Sequence, residues 1–219
     1  DPRFNLKSAD YMGNSFSATS QDSSPRSVVF NNDGTKMYVV GNANDSVYQY
    51  TLSTAFSVST ASYDSVSFSV ASQDASPYGL EFNNDGTKMY MLGSANDSVY
   101  QYTLSTAFDL STASYDSVSF SVASQDTQPF DLAFNTDGTK MYIVGTVNAS
   151  VYQYALSTAF DVSTASYDFV SFSVARQDTI PFGLAFNNNG TKMYVVGFVN
   201  KTVYQYALST AFDVSTASY

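Results

Sequence analysis

The stretch that decides the fold is PYGLEFNNDGTKMY, residues 77–90. Two short apolar and aromatic runs flank a polar Asn-Asn-Asp-Gly segment, in which Gly86 can supply the positive φ of a hairpin turn. Aromatic and apolar runs bounded by turn residues are typical of strands. The stretch therefore predicts two antiparallel strands joined by a tight turn.

The same stretch recurs along the chain at a spacing of 52 residues. Asp-Gly-Thr begins at Asp33, Asp85 and Asp137, and the fourth copy has Asn189 in place of the Asp. Four copies of 52 residues account for 208 of the 219 residues, and such self-similarity indicates a repeat architecture. We predict one domain over residues 1–219, with repeats at about 12–63, 64–115, 116–167 and 168–219 and an extra linker copy at 1–11.

Each copy carries two further strand patterns after the hairpin. In the second copy, residues 98–104 contain Val-Tyr-Gln-Tyr, and residues 115–123 alternate apolar side chains with serine. Strict alternation is the pattern of a strand with one exposed face. Four antiparallel strands repeated at about 50 residues are typical of a β-propeller blade. The predicted fold is all-β, a propeller of four four-stranded antiparallel blades.

The repeat pattern resembles the YVTN/NHL class of propeller repeats. The match is carried by Pro77, Gly79, Leu80, Phe82, Asp85, Gly86, Lys88 and Tyr90. The repeat is also similar to tandem repeats of uncharacterised environmental microbial and phage proteins. The resemblance implies blade architecture and no particular activity, because propellers carry unrelated functions.

Composition excludes several kinds of chemistry. The chain has no Cys, no His and no Trp, which removes Ser-His-Asp and Cys-His catalysis, His or Cys metal sites and disulfides. A net charge of −10 disfavours nucleic acid, and no apolar run reaches the roughly 20 residues that span a bilayer. Few charged and many Ser, Thr, Asn and Tyr residues favour an extracellular, cell-surface or virion-surface location.

The two ends of the sequence pose the question of how a ring closes. Residues about 11–19 match the fourth strand of a repeat, whereas the last copy stops where its fourth strand should begin. We predict that the N-terminal strand completes the last blade by pairing with Thr202–Leu208 within the chain. The alternative is donation to a neighbouring chain, which makes a homo-oligomeric ring or a filament.

A Gln-Asp pair recurs in the connection from each outer strand to the next inner strand. Its acids, which a propeller would place around one end face, are Asp22, Asp74, Asp126 and Asp178. One interpretation is a ring of carboxylates that binds a cation such as Ca²⁺. The other, which we favour, is a local turn capped by the Asp side chain, and no cofactor is then required.

Asn-x-Ser/Thr sequons recur in the turn between the second and third strands. The candidate glycosylation sites are Asn44, Asn96, Asn148, Asn200 and, in the fourth copy's hairpin, Asn189. A turn tip is accessible to glycosylation. The alternative is that Asn suits the turn and Ser or Thr suits the start of the strand.

Three positions break the repeat. Glu81, the sole Glu of the chain, stands where the other copies have Val or Ala, and Arg26 and Asp131 also differ from their equivalents. An enzyme built on a repeat must break symmetry in this way to place distinct catalytic groups. Because no fuller set of such groups stands out, we assign no catalytic residue.

The near identity of the copies favours equal sites that act together. We predict a non-enzymatic extracellular structural or adhesive module that self-assembles. The alternative is a multivalent glycan-binding propeller, which would use exposed Tyr and Asn side chains. The third hypothesis is a metal-assisted lactonase-type hydrolase.

Overall fold

The computed structural model describes Leu6 and residues 9–219, which form four antiparallel sheets of four strands. The first blade contains β1 (Pro25–Phe30), β2 (Lys36–Gly41), β3 (Ser46–Leu52) and β4 (Ala61–Ser69). The second contains β5 (Pro77–Phe82), β6 (Lys88–Gly93), β7 (Ser98–Leu104) and β8 (Ala113–Ser121). The third contains β9 (Pro129–Phe134), β10 (Lys140–Gly145), β11 (Ser150–Leu156) and β12 (Ala165–Ser173). The fourth contains β13 (Pro181–Phe186), β14 (Lys192–Gly197), β15 (Thr202–Leu208) and β16 (Ala217–Ser218).

The predicted all-β propeller of 52-residue blades is confirmed. Sequence order is kept within every sheet, so each blade is an antiparallel meander. Short 3₁₀ turns precede the fourth strands at Val58–Thr60, Leu110–Thr112, Val162–Thr164 and Val214–Thr216. Within the described residues, no helix is long and apolar enough to cross a membrane. The N-terminal linker copy lies partly outside the described residues.

The Asp-Gly-Thr turn needs its glycine for two reasons. Gly86 has φ +72, and a Cβ at this position would overlap the ring of Phe108. Phe108 itself has φ +58, and its N–H donates to the carbonyl of Gly86 at 2.9 Å. The turn between β5 and β6 is therefore held against the connection between β7 and β8, at one end of the blade.

Successive blades are clamped together by polar groups set in an aromatic core. Between the first two blades, the Tyr38 hydroxyl donates to the Phe108 carbonyl, and Gln49 Oε1 accepts the N–H of Leu110 at 2.8 Å. Phe68 packs edge-on against Tyr102, with ring centroids 5.5 Å apart. The same contacts recur between the second and third blades and between the third and fourth.

The ring does not close within the chain in the way that we predicted. β15 pairs with β14 on one side and, on the other, only with the two residues of β16, whereas residues 9–22 contain no strand. Phe16 packs on Tyr50 of the first blade, with ring centroids 5.1 Å apart. Among the described residues, β1 packs on β5, β5 on β9 and β9 on β13, and there is no comparable packing of β13 on β1. Pairing of the N-terminal segment with β15 within the chain is therefore wrong, because the first and fourth blades do not pack together in the described part of the chain.

The Asp-Gly-Thr turn needs glycine both for its positive φ and for its lack of a Cβ, and this requirement is testable. Gly86→Ala should destabilise the protein by about 2–4 kcal/mol, because the positive φ costs about 1–2 kcal/mol and the overlap with Phe108 costs about as much again. The free energy of unfolding in urea measures this loss.

Gly13→Ala is the matched control for that substitution. Gly13 also has positive φ, +78, but a Cβ there would meet no atom within 4 Å. This variant should lose about 1–2 kcal/mol at most. Equal losses in the two variants would contradict a role for the Phe108 contact.

Candidate active site in the channel

The innermost strands β1, β5, β9 and β13 pack on one another and line the channel of the propeller. On β5, Glu81 borders a cavity of about 230 Å³. Asn84 and Asn188 contribute polar groups to this cavity, and Ala133 and Ala185, the equivalents of Glu81 in the next two blades, leave room in it. The cavity exists beside Glu81 because the neighbouring copies have a small side chain at the same position.

The Glu81 carboxyl group is held close to the wall of the channel. Its Oε1 accepts the N–H of Phe82 at 3.0 Å. Burial raises the pKa of Glu81 to about 7, the hydrogen bond opposes this shift, and the neighbouring Asp131 carboxyl adds to it. A carboxyl with such a pKa exchanges its proton near neutral pH, as an acid-base catalyst must.

Asp131 lies in the same part of the channel, on β9. Its Oδ1 accepts the N–H of Leu132 at 3.0 Å, and its Oδ2 accepts the N–H of Leu184, in the fourth blade, at 2.9 Å. Burial raises the pKa of Asp131 to about 7, and these two hydrogen bonds oppose the shift. Gly79 and Gly183 occupy the equivalent positions in the neighbouring blades, so the Asp131 side chain has space on both sides.

Glu81 and Asp131 are two channel carboxyl groups whose pKa burial raises to about 7. The Asp131 carboxyl also raises the pKa of Glu81 through its charge. Asp131 accepts two backbone N–H groups and Glu81 accepts one, which favours the negative charge on Asp131. These two carboxyl groups offer a proton acceptor and a proton donor, which are complementary roles in catalysis.

Arg26, the third position that breaks the repeat, does not lie beside Glu81 and Asp131. Its guanidinium lies over the ring of Tyr78, 4.7 Å from the centroid. Tyr78, Phe130 and Phe182 occupy the same repeat position and form a row with ring centroids 4.5 and 4.2 Å apart. This row borders a separate cavity of about 350 Å³. The sequence analysis did not predict this aromatic row, although the shared repeat position of its three residues was a signal.

The four predicted metal-binding acids have a structural role in the described blades. Asp74 is buried and accepts the N–H groups of Ser76, Ala95 and Asn96 at 2.8, 3.2 and 2.9 Å. A Cβ on Gly93 would overlap its carboxyl group. The same arrangement surrounds Asp22, Asp126 and Asp178. Each acid therefore holds the turn of its own blade, as the alternative interpretation requires.

A metal centre does not fit the residues of the channel. The metal-assisted lactonase of our third hypothesis needs several oxygen-bearing side chains around one ion. In the described part of the chain, no three acidic side chains are grouped to hold one ion. The oxygens of Asp131 are both engaged by backbone N–H groups. The catalytic groups considered at this site are therefore the two carboxyls alone.

The sequon asparagines are exposed, and their side chains hold the turn. Asn96 Nδ2 donates to the carbonyl of Gln73 at 3.0 Å, and the following residue, Asp97, has φ +49. Equivalent bonds are made by Asn44, Asn148 and Asn200. Asn189 Oδ1 instead accepts the Thr191 hydroxyl, as Asp does in the other hairpins. These contacts explain why Asn recurs, and glycosylation stays a prediction.

Comparison with known proteins shows the fold. No family model and no curated protein matches the sequence. The chain is similar in structure to a Bacteroides fragilis protein provisionally named 6-phosphogluconolactonase (TM-score 0.62, 14% identity, 88% of this chain and 53% of that one). It is also similar to the periplasmic gluconolactonase of Pseudomonas aeruginosa (TM-score 0.55, 16% identity, 89% and 55%). A third likeness is to the Cps50 (Swd1) β-propeller domain from Myceliophteria thermophila (TM-score 0.53, 9% identity, 84% and 54%).

These likenesses define the class of the chain as a β-propeller, and the chain spans about half the length of the structures it matches. They contradict our prediction of a non-enzymatic structural or adhesive module, since two of these neighbours are named as lactonases, which are enzymes. The prediction gave more weight to the likeness of the copies than to the positions that differ. Glu81 and Asp131 are two such positions, and the fold brings them into one channel.

The raised pKa of Glu81 predicts a pH-dependent stability. The folded protein holds this proton up to pH about 7, whereas the unfolded chain releases it near the ordinary value of 4.5. The contribution of Glu81 to stability is therefore fully present below pH 4.5 and is lost as the pH rises to about 7. Glu81→Gln, which stays neutral and retains Oε1, should raise the melting temperature at pH 8 and leave it unchanged at pH 4. Melting curves that coincide for variant and wild type at both pH values would contradict the burial of Glu81.

Proposed function

We propose that this chain belongs to a lactonase-type hydrolase and that Glu81 and Asp131 carry the reaction. The observation behind the proposal is that the channel holds two carboxyl groups, Glu81 and Asp131, whose pKa burial raises to about 7. The names of the structural neighbours supply the substrate class, a sugar lactone. A cavity of about 230 Å³ beside Glu81 has the scale of a single small ring.

Lactone hydrolysis needs one group to accept a proton and another to donate one. In the proposed reaction, the Asp131 carboxylate takes a proton from water as the water oxygen attacks the lactone carbonyl carbon. The tetrahedral intermediate then collapses with cleavage of the ring C–O bond, and Glu81 donates its proton to the departing ring oxygen. The product is the open hydroxy acid, and transfer of a proton from Asp131 to Glu81 restores the starting state.

The channel explains why these carboxyls suit the reaction. Both are partly exposed to the channel, so a substrate can reach them, yet each is buried enough for its pKa to be raised. At their ordinary pKa values both would be ionised at pH 7, and neither could donate a proton. The backbone N–H groups that hold Asp131 also orient it before the substrate arrives.

The test is the rate of glucono-δ-lactone opening, followed by proton release in weak buffer and corrected for the spontaneous reaction. We expect acceleration with a bell-shaped pH dependence centred near 7, because the pair must hold one proton. Glu81→Gln and Asp131→Asn should each lower kcat/KM by about 100-fold or more. Circular dichroism would check that both variants are folded.

Asp10→Asn, which removes an exposed carboxyl group outside the channel strands, is the matched control and should retain the wild-type rate. Hydrolysis no faster than the spontaneous reaction would overturn the proposed activity. Hydrolysis that survives both channel substitutions would overturn the assignment of Glu81 and Asp131.

The finer expectations from sequence remain proposals. Membership of the YVTN/NHL class rests on the repeat pattern, and an extracellular location rests on composition. A periplasmic neighbour is in keeping with export from the cytoplasm. Glycan attachment at the exposed sequons and glycan binding can be examined by intact mass and by a glycan array.

A further inference from the structure

The hairpin turns that follow the innermost strands are joined from blade to blade by asparagine side chains. Asn32 Nδ2 donates to the carbonyl of Asn84, one repeat further along the chain, at 2.6 Å. Asn84 Nδ2 in turn donates to the carbonyl of Thr136, also at 2.6 Å. Both bonds are exposed, and together they form what we call the amide ladder.

The amide ladder stops at the third blade, because Thr136 stands where the other copies have Asn. Thr136 has a hydroxyl group and no amide to donate. Within the described residues, the carbonyl of Asn188 accepts no hydrogen bond and the Thr136 hydroxyl makes none. By the geometry of the two bonds before it, the Asn188 carbonyl faces Thr136, as the Asn84 carbonyl faces Asn32. The third and fourth blades therefore hold a free acceptor opposite a free hydroxyl.

These two free groups border the cavity that contains Glu81. Thr136 and Asn188 both line this cavity of about 230 Å³. They are exposed, whereas Glu81 is half-buried, so the break in the ladder lies at the mouth of the cavity and the carboxyl group lies deeper. The Asn84 side chain also lines the cavity, but its amide is already engaged by the Thr136 carbonyl. Thr136 and Asn188 thus offer the mouth of the cavity groups that a ligand can bind.

The opposite end of the innermost strands carries aromatic rings. Tyr78, Phe130 and Phe182 stand at the second residue of β5, β9 and β13, with ring centroids 4.5 and 4.2 Å apart. Thr136 and Asn188 come after the last residues of β9 and β13. The channel is therefore apolar at one end and polar at the other. A ligand rich in hydroxyl groups is better matched by the polar end.

We propose that Thr136 selects lactones that carry hydroxyl groups. A hydroxyl of the substrate would donate to the Asn188 carbonyl and accept from the Thr136 hydroxyl, while the lactone ring lies beside Glu81. A hydroxyl is both donor and acceptor, so one group satisfies both protein atoms at once. This inference rests on the proposed lactonase function and deepens it, because it names the part of the substrate that is recognised and the residue that recognises it.

An asparagine at position 136 would abolish this recognition without disturbing the fold. Its amide would donate to the Asn188 carbonyl, as Asn84 donates to Thr136, and would thereby occupy the acceptor. Asn is the residue of the other three copies at this position, so the turn accommodates it. The native chain forgoes this hydrogen bond beside the cavity, and such a local departure from the best-bonded arrangement is typical of a functional site.

The preference between two lactones tests the role of Thr136. Thr136→Asn should lower kcat/KM for glucono-δ-lactone by about 10-fold, because the hydrogen bonds to the substrate hydroxyl are lost. It should leave kcat/KM for δ-valerolactone, which has no hydroxyl group, within about twofold of wild type. The melting temperature should rise by about 2–4 °C, because the ladder gains a hydrogen bond.

Asn32→Thr is the matched control, since it makes the same break between the first and second blades. Asn32 does not line the cavity beside Glu81. This variant should lose about 2–4 °C in melting temperature and keep the wild-type ratio of the two kcat/KM values. If Thr136→Asn also kept the wild-type ratio, or slowed both substrates equally, recognition of a hydroxyl by Thr136 would be overturned.

Binding of glucono-δ-lactam separates this inference from the proposed reaction, because the lactam carries the hydroxyl groups and is not opened. Isothermal titration calorimetry should give a Kd about 10-fold weaker for Thr136→Asn than for wild type, and an unchanged Kd for Asn32→Thr. With that result, a protein that opened no lactone would contradict the proposed reaction alone. A wild-type protein that does not bind the lactam, or equal Kd values for wild type and Thr136→Asn, would contradict the role of Thr136.

Discussion

The packing of each blade on the next is the constraint on which the rest of the structure depends. A four-stranded blade has apolar side chains on both faces, and it can bury them only between two other blades. The core clusters accordingly join residues of neighbouring blades. The rings of Tyr38 and Phe82, for example, pack with their centroids 4.6 Å apart. Polar groups within this packing, such as Gln49 bound to the Leu110 N–H, fix the register of one blade on another.

The channel follows from this packing, and the chemistry of the channel follows from two substitutions in it. Successive innermost strands place equivalent residues side by side, so small side chains at one position open a cavity along several blades. Glu81 and Asp131 lie in adjacent blades, two repeat positions apart, and each replaces a small or apolar residue. Because the surrounding wall is built from the common repeat, both carboxyls are buried enough to keep their protons up to about pH 7.

Much of the fold could be predicted from local patterns. The Asn-Asn-Asp-Gly turn and the runs beside it predicted the hairpin of β5 and β6, and residues 98–104 are β7 as predicted. Serine alternation predicted a strand over residues 115–123, whereas β8 is Ala113–Ser121, two residues earlier at both ends. The mode of closure could not be predicted, because pairing within one chain and pairing between chains use the same residues. In the structure, they are distinguished by the lack of a strand in residues 9–22 opposite β15 and by the lack of packing of β13 on β1 among the described residues.

The candidate site could be predicted in part from the sequence. Glu81, Asp131 and Arg26 stand out as breaks in the repeat, but the sequence does not tell which breaks face one another. In the fold, the Asp131 charge acts on Glu81, whereas Arg26 lies over the ring of Tyr78. The recurring acids, such as Asp74, accept backbone N–H groups of turns, the interpretation that the sequence analysis favoured.

Carbon NMR can observe the protonation of the two channel acids directly. Selective ¹³C labelling of Glu and Asp would allow the carboxyl signals of Glu81 and Asp131 to be followed from pH 3 to pH 9, with the signals assigned by Glu81→Gln and Asp131→Asn. The account predicts that both signals titrate near pH 7 and that removal of Asp131 lowers the pKa of Glu81. Titration of both carboxyls near pH 4, the ordinary range, would contradict it.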